Sequence, residues 1–203
     1  MQDNNDRLAG GVLVLGAALT VLMMAHHPSN AHDGAMGRFV HGAMIALVAA
    51  TAYGFAHVAL RRGIRRPTVL AGMIAYGIAM FGHIGAATIN GFAVTALAAR
   101  EGVEHGLFHV TWELNQAFAQ LGVVATGVAF LLWSLGWVKQ RGWARPLGVL
   151  GIVAGLAPMA LLFGGALKMN LAGAMLVYSL QAAWILLTGL YVWSGKFAKE
   201  ASL

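Results

Sequence analysis

The sequence predicts an all-α protein, a polytopic membrane bundle of about six transmembrane helices. The chain has 203 residues, of which 59% are hydrophobic and only 10% charged, and its mean hydropathy is +0.72. Soluble domains carry roughly 25% charged residues, so this chain has too few polar groups to cover a water-exposed surface. Its apolar residues also fall into runs long enough to cross a bilayer. We therefore expect the lipid bilayer to surround most of the chain.

Six apolar segments form a single predicted transmembrane domain over residues 1–203. A helix needs roughly 20 residues to cross the hydrocarbon core, and each segment is close to or above that length. The predicted spans, numbered one to six, are 8–25, 37–60, 68–90, 107–138, 146–167 and 169–194. The third span could run on towards Ala99, but Asn90 and Gly91 predict a break, followed by a short interfacial helix over 92–99.

The distribution of basic residues predicts the orientation of the bundle. With an even number of spans, ten of the 13 Lys and Arg residues fall on the side that carries both termini. The positive-inside rule then predicts cytoplasmic termini in a multi-pass protein of the cell inner membrane. Because these basic clusters lie between apolar runs, the net charge of +6 does not indicate nucleic-acid binding. An aromatic belt near the inner interface is predicted from Trp133, Trp137, Trp143 and Trp193.

Glycines form stripes along two of the predicted spans. The chain contains 27 glycines, and several are spaced along one helix in spans one and three. Small residues let helix backbones approach closely in lipid, where packing drives association. Close helix contacts are therefore predicted at Gly10, Gly11, Gly16, Gly72, Gly77, Gly82 and Gly85.

The histidines gather on one predicted side of the membrane. The chain has no cysteine, which excludes disulfides, iron–sulfur clusters, thiolate metal sites and covalent c-type haem. Seven of its eight histidines fall in the outer half or the outer loops, and only His57 lies towards the cytoplasm. Polar side chains inside lipid-solvated bundles are costly and commonly functional. This clustering predicts a metal site near the outer, periplasmic face.

Span four contains the sharpest local pattern of ligand-type residues. His105, His109 and Glu113 are spaced by four residues and therefore lie along one face of a helix. Neighbouring members are about 6 Å apart along the axis, so the two histidines can share one ion. Glu113, about 12 Å from His105 along the axis, is too far to join both histidines on one ion. It is predicted either as a ligand with His109 or as an acceptor that fixes the ring tautomer, and as the catalytic residue, a proton carrier.

Histidines on three other segments are predicted to join this group. His41 in span two and His83 in span three lie at depths similar to the polar face of span four, and His109 meets them if these spans pack together. The first outer loop contributes three more histidines. The predicted metal ligands are therefore His41, His83, His105, His109, Glu113, His26, His27 and His32.

Several functions remain open at the level of sequence. Nitrogen and oxygen ligands without thiolate suit zinc, copper or iron, and such an ion predicts a metal-dependent redox or hydrolytic enzyme. One alternative is a b-type cytochrome with a single haem b held by two histidines on facing helices, His41 with His83 or His109. Another is a non-catalytic accessory or assembly subunit of a membrane complex. Either a homo-oligomer or a membrane-complex partner is compatible with the sequence, and no substrate is indicated.

Overall fold

The computed structural model describes residues 4–28 and 34–197. Within these residues there is no strand, and six helices are long and apolar enough to cross a membrane. The predicted all-α bundle with six spans is confirmed. In chain order, the elements are α1 (Asn4–Ala25), α2 (Gly34–Arg62), α3 (Pro67–Thr88), a π-helical segment (Ile89–Val94), α4 (Thr95–Ala98), α5 (His105–Trp137), α6 (Ala144–Phe163) and α7 (Leu171–Trp193).

The third span differs most from its predicted bounds. α3, the π-helical segment and α4 form one continuous helix of 32 residues, Pro67–Ala98. The predicted break at Asn90 and Gly91, with a separate helix over 92–99, is therefore wrong. The backbone widens into a π-helical turn at this position instead of ending. The hydroxyl of Thr95 donates to the Gly91 carbonyl at 2.8 Å, which gives that carbonyl a partner inside the widened turn.

Successive spans alternate in direction, since the start of α1 at Gly10 packs against the end of α7 at Gly189, and Arg62 at the end of α2 donates to the Trp133 carbonyl near the end of α5. The bundle therefore has a terminal end, where α1 begins and α7 ends, and a distal end, where α1 is followed by α2. α1 packs against α2 and α7, whereas α5 packs against α3 and α6. Two turns at the terminal end contain Gly63 and Gly142, with φ angles of 87° and 71° that favour glycine.

Glycines face one another where helices cross. A methyl group added at Gly82 in α3 would lie 2.5 Å from the backbone nitrogen of Gly122 in α5. Such an approach is shorter than side chains tolerate, so the two backbones pack directly against each other. Equally close approaches join two other helix pairs, at Gly10 with Gly189 and at Gly127 with Gly155.

Most of the predicted glycine contacts are present. Gly11 and Gly77 are the exceptions, because nothing lies within 4 Å of a methyl group placed at either position, and the prediction is wrong there. Close contacts with neighbouring helices are confirmed at Gly10, Gly16, Gly72, Gly82 and Gly85.

Two of the four predicted belt tryptophans belong to the core. Trp133 and Trp137 are buried, and the guanidinium carbon of Arg62 lies 4.7 Å from the centre of the Trp137 ring. The interfacial belt is therefore wrong for these two, because α5 turns both rings towards the other helices. Trp143 and Trp193 are exposed, as a belt requires.

A buried carboxylate joins α1 to α2 at the terminal end. The side chain of Asp6 is 0% exposed, and one carboxylate oxygen lies 2.7 Å from Nε2 of His57. The other oxygen accepts a hydrogen bond from Nη2 of Arg61 at 3.3 Å. His57 and Arg61 are one helical turn apart, so both reach the same carboxylate. His57, the one histidine predicted to lie towards the cytoplasm, is therefore a partner of the buried Asp6 carboxylate.

Candidate functional site

A cavity of about 510 Å³ lies in the distal half of the bundle. Residues of α1, α2, the continuous third span, α5 and α7 line it. Pockets of a few hundred Å³ with mostly apolar walls and a few polar groups are typical of small-molecule sites. Among the residues that the structure describes, no Lys, Arg, Asp or Glu side chain lines this cavity. Its polar lining includes His27, His41, His83, Asn115, Tyr178 and Gln181.

Two histidines face each other at the wall of this cavity. Nε2 of His27, just after α1, lies 3.1 Å from Nε2 of His41 in α2. Their ring centres are 4.8 Å apart and the rings are nearly perpendicular, with an interplanar angle of 77°. His41 is buried and His27 is half-buried. The structure therefore brings together two predicted ligands from different segments.

The other nitrogen of each ring, Nδ1, is hydrogen-bonded to a backbone carbonyl. Nδ1 of His27 lies 3.0 Å from the Pro28 carbonyl oxygen, and Nδ1 of His41 lies 2.7 Å from that of Gly37. A carbonyl oxygen only accepts hydrogen bonds, so both Nδ1 atoms carry the hydrogen. In two neutral imidazoles, both Nε2 atoms then present lone pairs to each other at 3.1 Å. The three contacts need three ring hydrogens, whereas two neutral rings have only two.

A positive charge between the rings resolves this deficit. Either a shared proton or a metal ion can lie between the two Nε2 atoms. Burial lowers the pKa of His27 below its ordinary value, and the hydrogen bond to the Pro28 carbonyl offsets only part of this effect. Burial thus favours the neutral ring, which is the form that binds metals.

The local sequence explains how His41 is held. Its ring donates to the carbonyl one turn earlier in α2, and Gly91 of the π-helical segment packs directly against its Cβ atom. A side chain at position 91 would collide with His41, so glycine is required for this close approach. π-helical turns recur at functional sites because they shift side chains relative to a regular helix.

His83 lines the same cavity from α3. Its Nε2 atom lies 3.0 Å from the hydroxyl oxygen of Thr126 in α5, and its Nδ1 atom lies 3.4 Å from that of Tyr178 in α7. Both ring nitrogens thus have neutral hydroxyl partners. Neither Thr126 nor Tyr178 was selected by sequence analysis, because isolated hydroxyls in apolar spans give no pattern.

The polar stripe on α5 lies outside the cavity. His105, His109 and Glu113 are exposed, and the two histidine rings are perpendicular with centres 4.9 Å apart. α5 instead turns Asn115 inwards, where its amide donates to the Ala86 carbonyl at 2.9 Å. Glu113 and Asn115 are two residues apart, or roughly 200° around the helix. The expected meeting of His109 with His41 and His83 is therefore not found.

The remaining predicted ligands lie elsewhere. His26 is exposed, and its Nδ1 donates to the Leu22 carbonyl at 2.9 Å. His32 lies outside the described residues. Within 4–28 and 34–197, no three His, Asp or Glu side chains are grouped as in a metal site made of protein ligands alone.

Comparison with protein-family models, with curated proteins and with solved structures finds no match for this chain.

Proposed function

We propose that this multi-pass membrane protein binds a metal ion between Nε2 of His27 and Nε2 of His41. The observation that supports it is the pair of facing nitrogens, 3.1 Å apart, with both Nδ1 atoms on backbone carbonyls. Metal-binding histidines commonly donate their other ring N–H to a carbonyl or carboxylate, which fixes the tautomer that exposes a lone pair. Both rings have this arrangement before any ion is added.

The spacing of the two nitrogens suits one ion. Two nitrogens bound to a tetrahedral ion at about 2.05 Å lie about 3.3 Å apart, close to the observed 3.1 Å. Axial ligands on opposite faces of a haem iron would be roughly 4 Å apart at similar bond lengths. At this pair, the spacing thus favours zinc, copper or iron as a single ion over a haem iron held between the two rings.

Two protein ligands leave coordination positions open. Catalytic metal sites differ from structural ones in keeping at least one position for water or substrate. Here the open positions would face a cavity of about 510 Å³. We propose a site for a redox or hydrolytic reaction on a small molecule. The other metal ligands expected from the sequence stay predictions, namely His26, His32, His83, His105, His109 and Glu113. The role of Glu113 as proton carrier stays a prediction too.

Orientation is part of the same proposal. Nine of the 12 basic residues within 4–28 and 34–197 lie at the terminal end, so we propose that this end faces the cytoplasm of a cell with the protein in its inner membrane. The distal end and its histidine pair would then face the outer side. Such a site would take its ion from the periplasm.

Metal analysis of detergent-purified protein tests this function. Protein stripped with a chelator is reloaded separately with zinc, copper and iron, and metal per chain is measured by mass spectrometry. We expect one equivalent in the wild type, and its loss in His27→Ala and in His41→Ala. His26→Ala is the matched control, because His26 is adjacent to His27 but exposed.

The outcomes separate the alternatives. Loss of metal in His109→Ala, but not in His27→Ala or His41→Ala, would move the site to the exposed stripe on α5. A Soret band in the absorption spectrum would indicate the haem alternative. Negligible metal in the wild type would contradict the proposal and favour an accessory subunit.

A further inference from the structure

Basic residues at the terminal end of the bundle are not balanced by acids. Nine basic residues are described there, and eight of them are exposed, namely Arg7, Arg61, Arg65, Arg66, Lys139, Arg141, Arg145 and Lys196. Asp6 is the one acid that the structure describes at this end, and His57 and Arg61 already contact its buried carboxylate. The terminal end therefore attracts anions, and anionic phospholipid head groups are the anions of a membrane surface.

The side chain of Lys196 lies over an exposed indole ring. Its Nζ atom is 4.8 Å from the centre of the Trp143 ring, and Trp143 is 60% exposed. The next residue, Phe197, is buried, and its ring centre lies 5.8 Å from that of Tyr191 in α7. Phe197 thus anchors this part of the chain to α7, and Lys196 joins it to the turn between α5 and α6. A ring face attracts a cation without neutralising it, so the ammonium charge remains available to an anion.

Two arginines add to the positive potential around this ring. Arg141 and Arg145 are two residues before and two residues after Trp143, so their Cα atoms lie within about 7.6 Å of its Cα atom. Both arginines are exposed, and neither forms a salt bridge with an acid within 4–28 and 34–197. Such separations are comparable with the screening length of about 8 Å at physiological salt, so the charges act together on a nearby anion.

The turn between α2 and α3 has a similar backbone without the aromatic ring. Gly63 and Gly142 both have positive φ angles, and each is followed by proline four residues later. Ile64 follows the first glycine, whereas Trp143 follows the second. Arg65 is exposed in the α2–α3 turn, which therefore offers positive charge at the same end of the bundle without an indole ring.

We propose that Lys196 and Trp143 bind the head group of an anionic phospholipid in the leaflet at the terminal end. The ammonium group pairs with the lipid phosphate, and the indole ring lies at the level of the head groups, as tryptophan does at membrane interfaces. Further along α6, Val149 and Val153 are 51% and 48% exposed, which suits acyl chains and not a soluble anion. This site lies at the opposite end from the histidine pair and does not depend on a metal ion.

Lipid binding to delipidated, metal-free protein in detergent tests this assignment. Native mass spectrometry measures the apparent dissociation constants of phosphatidylglycerol and of phosphatidylcholine with identical acyl chains. Lys196→Gln removes the charge and Lys196→Arg keeps it, while Trp143→Ile gives this turn the residue of the other turn. Arg65→Gln is the matched control, because it removes one exposed positive charge at the same end.

The site predicts a selective loss of the anionic lipid. We expect phosphatidylglycerol to bind the wild type at least about 5-fold more tightly than phosphatidylcholine. Lys196→Gln and Trp143→Ile should each weaken phosphatidylglycerol binding about 3- to 5-fold. Lys196→Arg and Arg65→Gln should stay within about 2-fold of the wild type, since the first keeps the cation and the second leaves the site intact.

Three results overturn the assignment. Equal affinity of the wild type for both lipids would mean that the charge of the head group is not recognised. Equal weakening in Arg65→Gln and Lys196→Gln would mean that the lipid responds to the overall charge of this end. Inorganic phosphate that displaces phosphatidylglycerol at equal concentration would mean that a soluble anion binds instead. Thermal unfolding checks that each variant is folded, and if one is not, the two wild-type comparisons still decide.

Discussion

Two alanine substitutions in the same helix are expected to change stability in opposite directions. In Gly82→Ala, the added methyl group lies 2.5 Å from the Gly122 nitrogen, 0.9 Å closer than the 3.4 Å at which ordinary contact begins. The atoms met are backbone, so α3 and α5 must separate. Overpacking of this kind costs about 1–3 kcal/mol. Gly77→Ala meets nothing within 4 Å. It should gain about 0.5–1 kcal/mol, because alanine is the better helix former.

Denaturant unfolding of purified protein in mixed micelles measures both free energies. The control is internal, since the two sites are five residues apart in α3 and receive the same methyl group. We expect Gly82→Ala to unfold at lower denaturant concentration than the wild type, and Gly77→Ala at an equal or higher one. If Gly82→Ala is as stable as Gly77→Ala, the direct backbone contact between α3 and α5 is refuted.

Three further substitutions follow from buried contacts and use the same unfolding measurement. Asp6→Ala removes a 0% exposed carboxylate that accepts from Arg61, and a loss of about 2–3 kcal/mol is expected; unchanged stability would contradict the cluster. Gln181→Leu in ligand-free protein should gain about 1–2 kcal/mol, because the unpartnered amide is removed, and a loss would mean that it has a partner. Gly136→Ala places a methyl group 2.5 Å from Nη2 of Arg62, the flexible end of a side chain that can shift, so a loss of no more than about 1 kcal/mol is expected; a loss as large as that of Gly82→Ala would contradict this.

The fold followed from sequence because the bilayer constrains length and composition. A spanning segment must satisfy its backbone internally and remain apolar for about 20 residues, so each helix is visible as a hydropathy run. Helix ends were harder to place. The π-helical turn at Ile89–Val94 keeps the third span continuous through Asn90 and Gly91, and residue type alone did not distinguish a widened turn from a break.

Which way each side chain faces was predicted less well than where the helices lie. In water, an apolar stripe identifies the buried face of a helix, but in lipid both the core and the lipid-facing surfaces are apolar. The conspicuous stripe of His105, His109 and Glu113 was therefore taken as inward-facing, whereas α5 turns Asn115 inwards. Trp133 was assigned to the interface for the same reason and is buried.

The histidine pair was predicted only as two separate candidates. From the sequence, His27 and His41 are both possible metal ligands near one end of the bundle. Whether their rings meet depends on the path that the chain takes after α1, which the sequence does not show. The two neutral rings are one hydrogen short because both Nδ1 atoms donate to backbone carbonyls. Those contacts are visible only in the structure. Asp6 was missed as a partner of His57 because an acid near the start of a span resembles a solvated leader.

X-ray absorption spectroscopy at the metal edge shows whether one ion is bound by both Nε2 atoms. For protein loaded with one equivalent of zinc, we predict two imidazole nitrogens at about 2.0–2.1 Å, with oxygen ligands completing the shell. In His41→Ala, the imidazole scattering should fall to one ring or the zinc should be lost. A wild-type spectrum without imidazole scattering, or one that His41→Ala leaves unchanged, would contradict the account.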